Sequence, residues 1–278
     1  GPIKEIFDKW GLTSTVIGRA TDTGRAVISD GDGPGGDLPV DVLVDAPLYR
    51  LDGVKPEGLD ALQAYDLAGV PLPDESADEV LLGLLASPNI ASKESVYRQY
   101  DHQVQTNTVI GPGGDAAVLR IKASKRGLAM STDGNGRYCY LDPYVGGMIA
   151  VAEACRNLAC VGAEPIALTD CLNFGDPEKP EVYYQLEQCI RGIAEASRRF
   201  DAPVISGNVS LYNESRGRGI YPTPVVGALG LLQDVSRRAD IGFRDAGDIV
   251  VLIGRDSLDS GAEELAGSEY LEQVHGLV

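Results

Sequence analysis

Two short polar clusters follow apolar runs of strand length in this 278-residue chain. Pro165 to Thr169 runs into Asp170-Cys171-Leu172-Asn173-Phe174-Gly175, and Pro203 to Ser206 runs into Gly207-Asn208-Val209-Ser210-Leu211-Tyr212-Asn213-Glu214. Loops at the carboxyl ends of strands in an α/β sheet turn freely and converge, and ligands gather there. Gly207 has no Cβ, so backbone at that point can approach a phosphate or a base closely. Asn208 offers a neutral oxygen, and magnesium carried on a nucleotide commonly takes one or two protein ligands beside phosphates and waters. The same residue types also cap helices and close turns. Spacing alone therefore leaves Asp170, Asn208 and Asn213 equally readable as structural.

Other chemistries are poorly served. No G-x-x-x-x-G-K-[ST] loop occurs, and Gly111-Pro112-Gly113-Gly114-Asp115 leads into a strand where a dinucleotide fingerprint leads into a helix. Asp133-Gly134-Asn135-Gly136 has no glutamate at the distance a calcium loop requires, and reads as a tight turn. The two histidines, His102 in a polar stretch and His275 near the last residue, do not suggest a Ser/His/Asp triad. Five cysteines with no C-x-x-C pair argue against structural zinc or a disulfide framework, and Cys155, Cys160 and Cys189 read as small core hydrophobes.

Elements to hold the clusters are legible in the periodicity. Ile3 to Trp10 repeats at helical spacing and is followed by strand-like runs at Thr15 to Gly18 and Arg25 to Ser29. Asp30 to Leu38 reads as a loop, and Val40 to Val44 as a strand. A Pro-, Gly- and acid-rich stretch then carries helical potential at Leu59 to Tyr65 and Ala77 to Ala86. Beyond Tyr100 the pattern predicts strands at Ala116 to Lys122, Leu128 to Thr132, Pro165 to Thr169, Pro203 to Ser206 and Pro224 to Leu232, with helices at Pro143 to Cys160 and Val182 to Phe200. This alternation predicts a layered α/β (α+β) domain with helices on one face of a sheet. A further strand is expected at Ile249 to Gly254. With 41 acidic against 24 basic side chains, the net charge of −17 works against binding nucleic-acid phosphates or anionic lipid. No apolar run approaches the roughly 20 residues of a spanning helix, and no secretory signal opens the sequence, so a cytoplasmic location is expected.

The runs Asp133 to Gly147 (DGNGRYCYLDPYVGG), Ala163 to Pro177 (AEPIALTDCLNFGDP) and Ser206 to Glu214 (SGNVSLYNE) closely resemble the synthetase subunit of phosphoribosylformylglycinamidine synthase, an enzyme of purine biosynthesis. Gly111 to Arg120, Asp37 to Tyr49 and Gly267 to Leu271 extend the likeness over nearly the whole chain. The TDCLNFG and SGNVSLYNE runs argue against other members of the aminoimidazole ribonucleotide synthetase-like superfamily. In that superfamily each half of a pseudo-symmetric molecule has a sheet-rich first domain and an α/β second domain.

The resemblance implies that Asp170 and Gly207 contact ATP, Asn208 ligates Mg2+, and Ser210 contacts formylglycinamide ribonucleotide. The family reaction phosphorylates the substrate amide oxygen, and ammonia then displaces phosphate to give the amidine. Ammonia comes from a separate glutaminase subunit in a complex that also has a small accessory subunit. The family's catalytic histidines and its other metal ligands lie in a first half with no counterpart here, so the chain is expected to be a fragment. Its expected divisions are 1–38, closing an α/β domain; 39–105, a linker with short helices; 106–235, the sheet-rich domain; and 236–278, the start of another domain. The sheet-rich part normally pairs with its counterpart, which makes a homodimer of the chain an expectation. Alternatively the isolated chain is a non-catalytic nucleotide-binding or assembly module. Arg137, to which no family role attaches, suits a bidentate contact to a substrate phosphate.

Overall fold

A computed structural model describes residues 1–31, 33–45, 48–254 and 261–278, residue 34 by its backbone alone. The chain divides into two compact units, 1–50 and 51–278. In the first, helix α1 (Pro2–Lys9) precedes strands β1 (Arg25–Ser29) and β2 (Pro34–Pro39), which pair antiparallel, and a short helix α2 (Val40–Val44). Three sequence expectations fail here. Residues 34–38 of the expected Asp30 to Leu38 loop lie in a strand because β1 supplies a partner for the ladder, reinforced across the pair by Arg25 Nε donating to Asp37 Oδ1 at 2.7 Å. Val40–Val44, expected as a strand, joins no ladder among the described residues and satisfies its backbone within one helical turn, Asp45 N donating to Asp41 O at 2.8 Å. Thr15 to Gly18 is not a strand either, and residue 32 of the Asp30 to Leu38 stretch lies outside the described residues.

The second unit opens with short helices α3 (Leu59–Gln63), α4 (Ala77–Ala86) and α5 (Glu94–Tyr97). Ser76 and Glu79 form a capping box that starts α4. Next come strands β3 (Thr108–Ile110), β4 (Ala117–Arg120) and β5 (Gly127–Asp133), then helices α6 (Gly136–Leu141) and α7 (Pro143–Cys160). Strand β6 (Glu164–Asn173), helix α8 (Pro180–Arg199) and strand β7 (Val204–Ser210) follow. A two-stranded pair, β8 (Glu214–Ser215) and β9 (Arg218–Gly219), leads into β10 (Thr223–Leu232).

Six strands make one sheet in the order β3-β4-β5-β10-β6-β7. Every neighbouring pair is antiparallel except β6 and β7, which the α8 crossover makes parallel. Strict alternation along β10, with Pro224, Val226, Ala228, Gly230 and Leu232 buried, marks the face that carries the helices. Asp142 starts α7 by accepting from Val145 N at 3.0 Å, with Pro143 at the first helical position, and the buried stripe Ala150, Val151, Ala154, Cys155, Leu158 rests on the sheet. Leu158, Leu168 and Phe174 are essentially inaccessible, each such side chain contributing about 1.5–3 kcal/mol of burial.

Helices α7 and α8 approach unusually closely. A Cβ on Gly192 would stand 2.0 Å from the Tyr144 carbonyl oxygen, and one on Gly147 would stand 2.5 Å from that of Cys189. Cys155 and Cys189 are core residues as expected, whereas Cys160, at the last turn of α7, is exposed. Ile249 to Gly254 is not a strand: no ladder forms with it among the described residues, and Ile249, Leu252 and Ile253 stand open to solvent. Residues 255–260 lie outside the description. No described helix is long and apolar enough to cross a membrane.

Candidate functional site

The two polar clusters begin as strand and turn to loop only after Asn173 and Ser210. Strand β6 continues through Asp170 to Asn173 and β7 through Gly207 to Ser210, because the ladders with β10 and between β6 and β7 run on past the apolar residues. Their register pairs Asp170 with Gly207, Cys171 with Asn208 and Asn173 with Ser210. Side chains alternate along a strand, so the four candidates sort onto two faces.

Asp170 lies on the helix-bearing face, between the buried Leu168 and Leu172 and beside Val226 of β10. Its carboxylate extends across Gly207. A Cβ there would lie 2.3 Å from Asp170 Oδ1 and 3.0 Å from its Cγ, so glycine is what leaves room for the carboxylate to reach over β7. Partial burial pushes the Asp170 carboxyl above its ordinary pKa. Asn208 and Ser210 lie on the opposite face, where Asn208 Nδ2 donates to Cys171 Sγ at 3.5 Å and Thr169 and Ser206 exchange a hydroxyl hydrogen bond at 2.8 Å.

The two faces meet at the sheet's edge. Strand β7 is the last in the order, and Val204 to Val209 are all exposed, so a ligand lying along that edge meets Asp170 and the Gly207 backbone from one side and Asn208 and Ser210 from the other. Asn213 fastens the end of this edge. Its Nδ2 donates to Phe174 O at 3.1 Å, Ser210 O at 2.8 Å and Ser210 Oγ at 3.1 Å, tying β7 to the turn after β6. Lys179 and Glu214 pair across the same junction. The Asn213 clasp was foreseeable only as a turn-stabilising residue type. The Cys171 contact had no sequence signal, because it depends on the register of two strands over thirty residues apart.

The donor set fits magnesium as a nucleotide-borne ion rather than a caged one. Among the described residues no group of three or more His, Cys, Asp or Glu side chains is arranged to hold a metal. Asn208 offers one amide oxygen, the kind of single protein ligand that an ion already carrying phosphates and waters accepts. The Asp170 carboxylate and the Asn208 amide belong to opposite faces and do not converge on one ion within the strand pair.

Arg137 is not free for a substrate phosphate. Its guanidinium pairs with Glu269 at 2.6 Å and with Glu272, and Glu269 also accepts from Ser87 and from Asn89 Nδ2. The Ser87 hydroxyl, Arg137 and Asn89 together hold the Glu269 carboxyl down at a pKa of about 2. Asn89, Arg137, Glu269 and Glu272 line a cleft of about 680 Å³. At its floor Asn135 caps α6 by accepting from Arg137 N at 3.0 Å and Tyr138 N at 3.4 Å, so the Asp133 to Gly136 segment is a strand end and helix start, not a calcium loop. His102 packs its ring near Gly111, and His275 pairs with the Tyr270 hydroxyl at 3.2 Å, both away from the β7 edge.

The family AIR synthase related protein, N-terminal domain, matches residues 113–232. Phosphoribosylformylglycinamidine synthase subunit PurL of Moorella thermoacetica is 52% identical over 99% of this chain and 37% of its own length, and that of Thermomicrobium roseum is 51% identical over 98% and 37%. The chain thus spans about 37% of the length of the curated relatives it matches. Among solved structures, PurLQS from Thermotoga maritima superposes with a TM-score of 0.59 at 31% identity, covering 79% of this chain and 33% of that one. Thermotoga maritima PurL complexed with ATP (TM-score 0.55; 78% and 32% covered) and with FGAR (0.57; 78% and 32%) are similar at the same identity. Residues 113–232 are therefore similar to the AIR synthase related protein, N-terminal domain, within a chain similar almost end to end to about a third of phosphoribosylformylglycinamidine synthase subunit PurL.

Proposed function

We propose that this chain supplies ATP, magnesium and substrate contacts to an ATP-dependent C–N ligase of purine biosynthesis, which converts formylglycinamide ribonucleotide and ammonia to formylglycinamidine ribonucleotide, ADP and phosphate. The observation that carries the reading is the Asp170–Gly207 pair at the exposed β7 edge, with Asn208 and Ser210 next along the same strand. Solved structures of similar fold are complexed with ATP and with FGAR, which supports nucleotide and ribonucleotide binding by the whole protein of which this chain resembles a part.

In this reading Gly207 gives the nucleotide access to backbone, and Asp170 accepts from nucleotide donors. Asn208 completes the coordination of a magnesium ion, whose charge offsets that of the transferring phosphoryl group. Ser210, oriented by Asn213, holds the acceptor. Ammonia delivery falls to a glutaminase partner, the remaining contacts to other parts of the synthetase, and the setting is cytoplasmic.

The test is kinetic, in the intact synthetase. Asn208→Ala should raise the magnesium needed for half-maximal rate, and Ser210→Ala should raise KM for the ribonucleotide or lower kcat, each with little change in Tm. Unchanged kinetics in both variants would sink the assignment. Because Asn208 supplies a single oxygen, the 278-residue chain alone should bind magnesium-ATP weakly and form no amidine, behaving as a binding or assembly module. Amidine formation by the chain alone is the opposing result.

A further inference from the structure

The β6–β7 register carries one relation that the family likeness does not assign. Cys171 is the direct neighbour of Asn208 across the parallel ladder, and both side chains stand on the same face. The Cys171 sulfur accepts from Asn208 Nδ2 at 3.5 Å and from Asn173 Nδ2 at 3.6 Å. Asn173 has other acceptors for the same amide, the carbonyls of Cys171 at 2.9 Å and Thr223 at 3.2 Å. Asn208 sits on an exposed edge strand with the sulfur as the neighbour its amide nitrogen meets.

A carboxamide holds its donor and its acceptor in one rigid plane, splayed from the same carbon. Fixing Nδ2 against the sulfur therefore turns Oδ1 away from β6, towards the outer edge of the sheet. We propose that Cys171 is a positioning residue for the reaction: its sulfur selects the orientation in which the Asn208 oxygen faces the nucleotide-borne magnesium. This inference rests on the assignment of Asn208 as a metal ligand. Thiol sulfur is a weak acceptor with a long reach, which suits a contact that must bias an amide without competing for the ion. A flipped amide would present N–H groups to a cation and repel it.

Three replacements in the intact synthetase separate orientation from packing. Cys171→Ala removes the acceptor, Cys171→Val removes it while keeping bulk between the strands, and Cys171→Ser keeps an acceptor in nearly the same place. Initial rates are measured against magnesium at saturating ATP and ribonucleotide, with Tm recorded for each variant. Ala and Val should raise the half-saturating magnesium by about three- to tenfold, in keeping with one modest hydrogen bond. The serine variant should stay within about twofold of the parent, with kcat at saturating magnesium and KM for the ribonucleotide unchanged in all three. If Asn208→Ala shifts the magnesium dependence but Cys171→Ala and Cys171→Val do not, the positioning role is overturned while the metal assignment stands. Loss of the shift in Asn208→Ala itself removes both. A serine variant as impaired as alanine shows that volume or thiol chemistry, not acceptance, is the property required.

Discussion

Replacing Gly207 with alanine tests whether this glycine exists to let Asp170 reach the sheet edge. Gly207 does not have the left-handed backbone that resists a side chain, so alanine is conformationally acceptable there. The new Cβ would stand 2.3 Å from Asp170 Oδ1, about 1.1 Å inside ordinary van der Waals contact, so the carboxylate must swing aside. Driving the Asp170 side chain off its preferred rotamer costs about 0.5–1.5 kcal/mol. Alanine in place of glycine returns about 0.4–1 kcal/mol by restricting the unfolded chain. The net change in stability is then within about 1 kcal/mol, a Tm shift of at most ~4 °C for a unit of this size. Binding should suffer more, since a displaced carboxylate loses a charge-assisted contact of about 1.5–3 kcal/mol, or roughly tenfold and upwards in the ATP dependence of the intact enzyme. The decisive assay is a double-mutant cycle: denaturation midpoint and ATP half-saturation for Gly207→Ala, Asp170→Ala and the pair. With Asp170 truncated the collision is gone, and Gly207→Ala should become neutral or slightly stabilising. If its effects are undiminished in the Asp170→Ala background, the reasoning is wrong and the glycine serves the ligand directly.

Burial raises the Asp170 pKa, so the ionised carboxylate opposes folding once the pH exceeds the ordinary value of 3.8. Asp170→Asn should accordingly raise Tm at pH 8 and leave it unchanged below pH 3.8, checked by melting curves across pH; a lower Tm at pH 8 contradicts this. Glu269 behaves oppositely. Held at about 2 against an ordinary 4.5, it stabilises fully above pH 4.5, and that contribution fades as the pH falls towards 2. Glu269→Gln should flatten the stability profile over that window in urea titrations, and an unaltered slope would show that the Arg137 cluster contributes nothing there. Gly192→Ala forces a Cβ against a backbone carbonyl at 2.0 Å and should cost about 3 kcal/mol by separating α7 from α8. A loss under about 1 kcal/mol in chemical denaturation would mean that the helices are free to slide.

The elements legible in the sequence were those whose own residues set their limits. Helix α7 runs from Pro143 to Cys160 as the periodicity predicts, because Asp142 and Pro143 start it wherever it packs. The long apolar run Pro224 to Leu232 reads directly as β10, inside the sheet. Failures fall where a partner decides. Val40 to Val44 and Ile249 to Gly254 both read as strands, yet neither has a ladder among the described residues, and one turns into helix while the other stays irregular and exposed. Conversely, hydrogen bonding carries β6 and β7 through Asp170 and Asn208, where side-chain polarity suggested loops. The candidate residues themselves were recognisable from their motifs. Their division between faces was not, since it depends on the register of β6 with β7, including its shift between Leu168 and Thr169.

That division has a consequence for how the segment tolerates change in length. Neighbouring positions on β7 serve opposite sides of one thin wall, so inserting or deleting a single residue between Ser206 and Ser210 would exchange the two sides beyond that point. Such a change would turn the amide towards the helix layer and leave the carboxylate facing a side chain where it now meets glycine, even if the sheet still formed. Substitutions here adjust contacts one at a time. A one-residue indel would dismantle all of them together, and the strand should accept length variation only beyond Asn213, where the β8–β9 hairpin can absorb it.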